Sequence, residues 1–402
     1  MINKTFFEMN RVKLSSLLPA AIIVLSGYVR VQRSNDTAFF FEQESNFWYV
    51  SGIEEPNWLI ILDASSGEEW LVAPDIEEIH RIFDGSLSNR QASEISGIKK
   101  VLSRDDGIQL LHRLAKKHSV VHTIDQPSWS DHFNFTLNPA LKQTRQLLER
   151  TFNSVVDCRK DLAKIRAIKQ PEEITAIQRA IDLTAEAFTH IKMNLANMKY
   201  EYGIEAEFDY IFKKNGSLHA YDPIVAGGTN AATLHYVKNN DRLKKSDVLL
   251  LDVGAKVNGY CADISRTYSV SGQLSKRKQV IHKAVVDAQA EIIDLIKPGY
   301  SLQEYQLASD TIMKHALLSV DLLKDIDDEN YRKYFPHAIS HGLGIDVHDS
   351  LGAPRVFEAG MVLTVEPGIY IPEEGIGVRI EDDILVTASG NKNLSGKLST
   401  AY

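Results

Sequence analysis

Short apolar runs alternate with stretches of helical period through the first 150 or so residues. Ile22–Leu25, Leu59–Leu62 and Trp70–Val72 are strand-length and bounded by Gly, Asp or Ser, which predicts buried strands. Asp75–His80 and Gly107–Lys117 carry apolar residues at helical spacing and predict amphipathic helices. Residues 1–155 therefore read as an α/β domain. Basic side chains then crowd together (Arg159, Lys160, Lys164, Arg166, Lys169), and residues 150–170 read as a linker. Pro171 suits a first helical position, and Glu172 and Glu173 suit the positive end of a helix dipole. Ile174, Ile177, Ile181, Ala185 and Phe188 continue from there as one buried stripe. Beyond residue 220 the chain is Gly-rich and strand-like, with helices expected near 276–296 and 302–318. Residues 156–402 form the second expected domain.

Composition narrows the function classes. A chain of 402 residues exceeds what one core usually holds, which supports two domains. At 44% hydrophobic and 24% charged residues it is an ordinary globular protein. The net charge of −8, with no basic stripe, argues against a nucleic-acid partner. Cys158 and Cys261 form no CxxC pair, which points to a reducing compartment. Lys4, Arg11 and Lys13 precede the apolar run Ala20–Leu25 in the manner of a targeting segment. That run is too short for a bilayer span, and Pro19 and Ser26-Gly27 bound it. A buried first strand, no membrane association and a cytoplasmic location are the expectations.

Candidate chemistry gathers in the second half. Val248–Gly254 and Tyr260–Tyr268 flank Asn258-Gly259, a strong two-residue hairpin signal. With that pair as the loop, Asp252 faces Ser265. Asp263 then lies two residues from Ser265, so both carboxylates share one face, roughly 7–8 Å apart at Cα. Taken alone, this pair reads as ordinary strand-end aspartates making turn hydrogen bonds. A second cluster, His337-Ala-Ile-Ser-His341-Gly-Leu-Gly-Ile-Asp-Val-His348-Asp349, sets three histidines within twelve residues. Imidazole both ligates metals and carries protons near neutral pH. Val362-Leu-Thr-Val-Glu366-Pro-Gly and Val378-Arg379-Ile-Glu381-Asp-Asp383 each place a glutamate in or at the end of a β-branched run. By alternation Arg379, Glu381 and Asp383 share a face, which taken alone reads as a solvated, salt-bridged strand. Together, Asp252, Asp263, His341, Glu366 and Glu381 are a hard, oxygen-rich donor set without thiolate. Such a set suits Mn²⁺ or a similar divalent ion, and four carboxylates match the charge of two. No HExxH, GxSxG or P-loop accompanies them.

These four motifs, in this order and spacing, resemble those of the pita-bread-fold metallopeptidases, most closely the Xaa-Pro aminopeptidases and next the Xaa-Pro dipeptidases. Ser34-Asn-Asp36 and Phe39–Phe47 also resemble the N-terminal domain of those two subfamilies. The resemblance implies an α/β N-terminal domain followed by an α+β pita-bread catalytic domain. It implies metal ligands Asp252, Asp263, His341, Glu366 and Glu381, with Asp263 and Glu381 shared between two ions. The ions expected are Mn²⁺, with Co²⁺ or Zn²⁺ also compatible. His235 and His348 match histidines that bind substrate and stabilise the tetrahedral intermediate, while Arg379, His337 and Arg355 are assigned to the same pocket.

The activity implied is hydrolysis of the Xaa-Pro bond at a peptide N-terminus, by a hydroxide held between two metal ions, with Glu366 shuttling the proton. A dipeptidase limited to Xaa-Pro dipeptides is the alternative, for which Arg355 or Arg379 would bind the substrate carboxylate. A non-catalytic pita-bread binding protein is a further one, disfavoured by the intact ligand set. The partners expected are a proline-containing peptide and further copies of the chain, as a dimer or tetramer.

Overall fold

The structure is a computed structural model that describes residues 2–127, 135–327 and 329–402. The chain divides into two compact units, Ile2–Ile165 and Arg166–Tyr402.

In the first unit the predicted apolar runs become the middle of a six-stranded mixed sheet. Its order is Val101–Leu102, Glu68–Val72, Leu59–Asp63, Ile22–Ser26, Val120–Thr123 and Ser154–Asp157. Ile22 to Leu25 and Leu59 to Leu62 are all buried, as continuous apolar runs at the centre of a sheet should be. The basic residues ahead of them lie on a helix, Lys4–Leu17, capped by the Asn3 side chain. Arg11 on that helix is buried; it donates to the carbonyls of Val50 and Ser96 and pairs with Glu69. The helix expected at 107–117 spans Arg104–Ala115, with Ser103 accepting from the Asp106 N–H. The one expected at 75–80 is displaced to Glu78–Asp84 and buries none of its residues; Glu77, in extended backbone, is the residue before it.

No free linker occupies 150–170. A strand, Ser154–Asp157, and a helix, Arg159–Ala167, lie there instead, and Arg166 and Lys169 are buried in the second unit. Carboxylate partners made that burial possible. The long helix Pro171–Asn194 buries Ile177, Ile181 and Phe188 together with the small residues Ala176, Ala180 and Ala187; Ile174 and Ala185 lie half-buried at its edge.

Two long hairpins organise the rest of this unit. In the first, Val248 pairs Ser269, Asp252 pairs Ser265 and Val257 pairs Tyr260, one constant register from end to end. Asn258 and Gly259 both take positive φ, 50° and 81°, as a two-residue turn matched to strand twist requires. The ladder is interrupted at Gly254, where a Cβ would lie 1.8 Å from the Ala262 carbonyl oxygen. In the second hairpin Val362 pairs Leu385, Val365 pairs Asp382 and Gly368 pairs Arg379, again in one register. It is interrupted at Glu366-Pro367 and Ile380-Glu381. Helices Lys276–Leu295 and Leu302–Ser319 cover its apolar face through Ile281, Val285, Met313, Leu317, Val365 and Val378.

Both cysteines are free and buried, one in each unit. Among the described residues no helix is long and apolar enough to cross a membrane.

Candidate metal centre

The interruptions of the two hairpins come together, and the carboxylates sit at them. Asp252 ends the apolar run Val248–Leu251, and Asp263 lies in the gap itself, opposite Gly254. Glu366 and Glu381 occupy the next positions of the second register after Val365 and Asp382, and so face each other across its gap. Ser265 joins the hairpins: its carbonyl accepts from the Glu381 N–H at 3.1 Å, and its hydroxyl donates to Glu381 Oε2 at 2.7 Å.

His341 arrives from the irregular segment between residues 335 and 361. Its backbone is tied to Thr364, whose hydroxyl accepts from the His341 N–H and donates to Glu366 Oε1. Its Nδ1 lies 3.0 Å from the Gly342 carbonyl, which makes Nδ1 the N–H donor and leaves Nε2 facing the carboxylates. Nε2 is 3.4 Å from both Asp263 Oδ2 and Glu366 Oε1. One ligand atom each from Asp263, His341 and Glu381 lie within 4.8 Å of one another.

Electrostatics identify what this cluster is built to hold. Burial, and then the charges of Asp263, Glu366 and Asp252, hold the Glu381 carboxyl well above the carboxylate range. Burial raises Asp263 as well, against the hydrogen bond from His341. Burial pushes Glu366 up to about 7, with His341 opposing and Asp263 reinforcing. Burial works to lower His341, yet the hydrogen bond and charge of Asp263, with Glu366, raise it to about 9. Four acids packed around one imidazole are thus short of positive charge. Divalent ions with a preference for oxygen and imidazole supply it, so this donor set fits the metals expected for it.

A cavity of about 600 Å³ opens onto the cluster. All five predicted ligands line it, as do His235, His337, His348 and Arg379, with Ile224, Leu234, Val237 and Val347 forming an apolar wall. Arg355 does not reach it. Its residue is exposed, with its carbonyl accepting from the Leu302 N–H, and the pocket position expected for it is not observed. The solvated face expected for Arg379, Glu381 and Asp383 is also not found: all three are buried. Arg379 donates from Nε to Ser265 Oγ at 2.9 Å, from one terminal nitrogen to the Tyr370 hydroxyl at 2.8 Å, and from the other to Asp252.

His337 and His348 are held neutral. Burial and the Arg379 charge lower His337 to about 4, and burial and the His341 charge lower His348 equally far. His337 Nε2 lies 2.8 Å from the Tyr370 hydroxyl, and the His341 and His348 rings meet edge to face at 4.4 Å.

Two tyrosines went unread in the sequence. The Tyr221 hydroxyl lies 2.6 Å from Asp252 Oδ1 and 2.5 Å from Asp263 Oδ1. Burial, with the charges of both acids, pushes its pKa well up, so it remains the proton donor. Its surroundings, His219-Ala-Tyr221-Asp-Pro223, carry no periodic or motif signal. Tyr370 had one faint cue, alternation two residues beyond Gly368.

Comparison with known proteins agrees with this geometry. Residues 175–388 match the model of metallopeptidase family M24, and residues 7–122 match the aminopeptidase P N-terminal domain. The Xaa-Pro aminopeptidase of Escherichia coli strain K12 is 32% identical over 424 residues, spanning 99% of this chain and 96% of that relative. Zinc-substituted Escherichia coli aminopeptidase P in complex with product superposes with a TM-score of 0.87 at 29% identity, covering 99% of this chain and 96% of that one. The same enzyme with the inhibitor Pro-Leu gives 0.85 at 30% identity with the same coverage. Its catalytic motifs, its N-terminal domain and its fold make this chain a member of metallopeptidase family M24.

Proposed function

We propose that this chain is a metal-dependent exopeptidase that hydrolyses the Xaa-Pro bond at the N-terminus of peptides. The observation that carries this reading is the convergence of Asp252, Asp263, His341, Glu366 and Glu381 on one cavity lined by neutral histidines. These five residues would hold two divalent ions, with Asp263 and Glu381 shared, and Mn²⁺ is the ion proposed. Such ions, when bound, polarise a carbonyl and acidify a water.

The side chains supply the remaining steps. Glu366 accepts the proton of the attacking water at a carboxylate oxygen and returns it to the leaving proline nitrogen. His348 and His235 donate hydrogen bonds to the carbonyl oxygen as negative charge grows there. His348 is suited to this because it is neutral at pH 7 and keeps one N–H. Asp252 receives the free amine of the substrate, and Arg379 and Tyr221 orient its two oxygens. The amine requirement makes the activity an exopeptidase one.

The geometry favours an aminopeptidase over a dipeptidase. A dipeptidase needs a cation for the substrate's C-terminal carboxylate. Arg379 is the guanidinium among the described lining residues, and its Nε and both terminal nitrogens are engaged by Ser265, Tyr370 and Asp252. The test is product release by metal-stripped protein with Mn²⁺ added back, on an Xaa-Pro dipeptide and the same sequence extended. Cleavage of the extended peptide is expected. Cleavage of the dipeptide alone would establish a dipeptidase, and cleavage of neither by the loaded protein would remove the proline assignment. Two buried thiols support a reducing, cytoplasmic setting, while a homo-oligomeric state rests on family resemblance and is read by sedimentation.

A further inference from the structure

The segment from His341 to His348 is tied into a closed loop by the residue that follows it. The Asp349 N–H donates to the Gly342 carbonyl at 2.8 Å, next to the ligand His341. The Asp349 carboxylate is itself buried and is gripped by two buried cations. Arg166 donates to Oδ1 at 2.8 Å and Lys169 to Oδ2 at 3.2 Å. Arg166 also reaches Asp346 on the same loop at 2.6 Å, and the Lys169 ammonium donates to the Arg166 carbonyl at 2.6 Å. These are the basic residues that the sequence presented as a linker.

Both glycines of His341-Gly342-Leu-Gly344 make room for this one residue. A Cβ on Gly344 would lie 2.0 Å from Asp349 Oδ2 and 3.0 Å from Lys169 Nζ, and a Cβ on Gly342 would lie 2.4 Å from the Asp349 carbonyl oxygen. Neither glycine has a positive φ, so close approach and not backbone conformation accounts for both. The loop is held on a third side by Cys261, whose N–H donates to the Gly344 carbonyl at 2.9 Å. Removing one partner from a buried ion pair leaves an uncompensated charge, which makes such a clamp stiff and its loss costly.

From this arrangement we infer that Asp349, clamped by Arg166 and Lys169, is the positioning residue that fixes the His348 imidazole against His341 and the scissile carbonyl. It touches neither metal nor substrate and acts through the backbone of its neighbour. The inference rests on the role proposed above for His348. A clamp of this kind sets a donor to within the fraction of an ångström that stabilisation of a developing charge requires.

A double-mutant cycle on the metal-loaded enzyme tests it, with an extended Xaa-Pro peptide as substrate and metal content measured on each variant. Asp349→Asn should lower kcat about a hundredfold, with KM within about twofold and metal content unchanged. In a His348→Ala background the same substitution should cost nothing more. Gly344→Ala, which displaces the carboxylate without changing any charge, should reproduce the effect and serves if Asp349→Asn does not fold. Costs that add in the His348→Ala background, or loss of metal from Asp349→Asn, would overturn the positioning role. A His348→Ala enzyme of unchanged kcat would instead remove the role of His348 itself, and the clamp's function with it.

Discussion

The two hairpins of the second unit do the same thing by different means. Each keeps a single register across an interruption, and each interruption carries carboxylates into the cavity. In the first, backbone meets backbone: Gly254 sits against the Ala262 carbonyl, and Asp252 and Asp263 are diagonal neighbours. In the second, Glu366 and Glu381 stand opposite one another, and the nearest obstacle to a Cβ on Gly368 is the Tyr370 hydroxyl, 2.5 Å away. The first interruption is therefore closed by backbone, whereas the second is bordered by a side chain, Tyr370, that Arg379 and His337 hold by its hydroxyl. The glutamates that burial and mutual repulsion perturb belong to the second one.

The largest expected effect lies there. Replacing Glu381 with Ala should remove most bound metal and nearly all turnover, measured by metal analysis and peptide release; full activity would sink the two-metal assignment. Next comes a direct comparison of the hairpins in metal-free protein. Gly254→Ala should cost about 3 kcal/mol or more, because a carbonyl cannot step aside, while Gly368→Ala should cost about 2 kcal/mol, because Tyr370 can turn away only by giving up its bonds to Arg379 and His337. Urea midpoints read both, and equal costs would erase the distinction between the two interruptions.

Acidity tests the same contrast more gently. His341 rises from 6.5 to about 9 and Glu366 from 4.5 to about 7 on folding. A group whose folded pKa is raised contributes stability that is lost as pH climbs through that value. His337 and His348 are shifted the other way, to about 4, and oppose this only below their ordinary 6.5. The melting temperature of metal-free protein should therefore fall between about pH 7 and 9. Saturating Mn²⁺ should reverse the trend, since the ligands bind the ion deprotonated. A flat metal-free profile would contradict the charge balance described for the site. The smallest effect belongs to the first turn: Asn258→Ala, at a φ of 50°, should cost about 1 kcal/mol with activity retained.

The same contrast explains what could be read without coordinates. Asn258-Gly259 is a turn of known length, so counting outward from it places Asp252 opposite Ser265, as observed. The second hairpin turns through Pro372–Glu374 and Gly375, which carries no fixed-length signature, so no count could bring Glu366 to face Glu381. Alternation failed for Arg379, Glu381 and Asp383 for a related reason. It assigned them to solvent, whereas all three are buried, Arg379 against Asp252 and the two acids as carboxyls that burial holds well above the carboxylate range. Arg166 and Lys169 escaped in the same manner, because a buried cation is recognisable only once its anion is located. Apolar runs needed no such partner, and Ile22–Leu25, Leu59–Leu62 and the stripe from Ile177 to Phe188 were legible outright.

The two thiols offer a different kind of readout. Cys158 Sγ donates to the Thr123 carbonyl on an inner strand of the first unit's sheet, and Cys261 Sγ donates to the Ile345 carbonyl in the loop that carries His341 and His348. Burial, foremost, raises both pKa values, that of Cys158 to about 12, so neither reacts while its surroundings stay closed. Alkylation of each sulfur then becomes a clock for the opening of its own neighbourhood. With one clock per unit, the breathing of the metal-bearing half can be timed separately from that of the N-terminal sheet, on the unmodified chain.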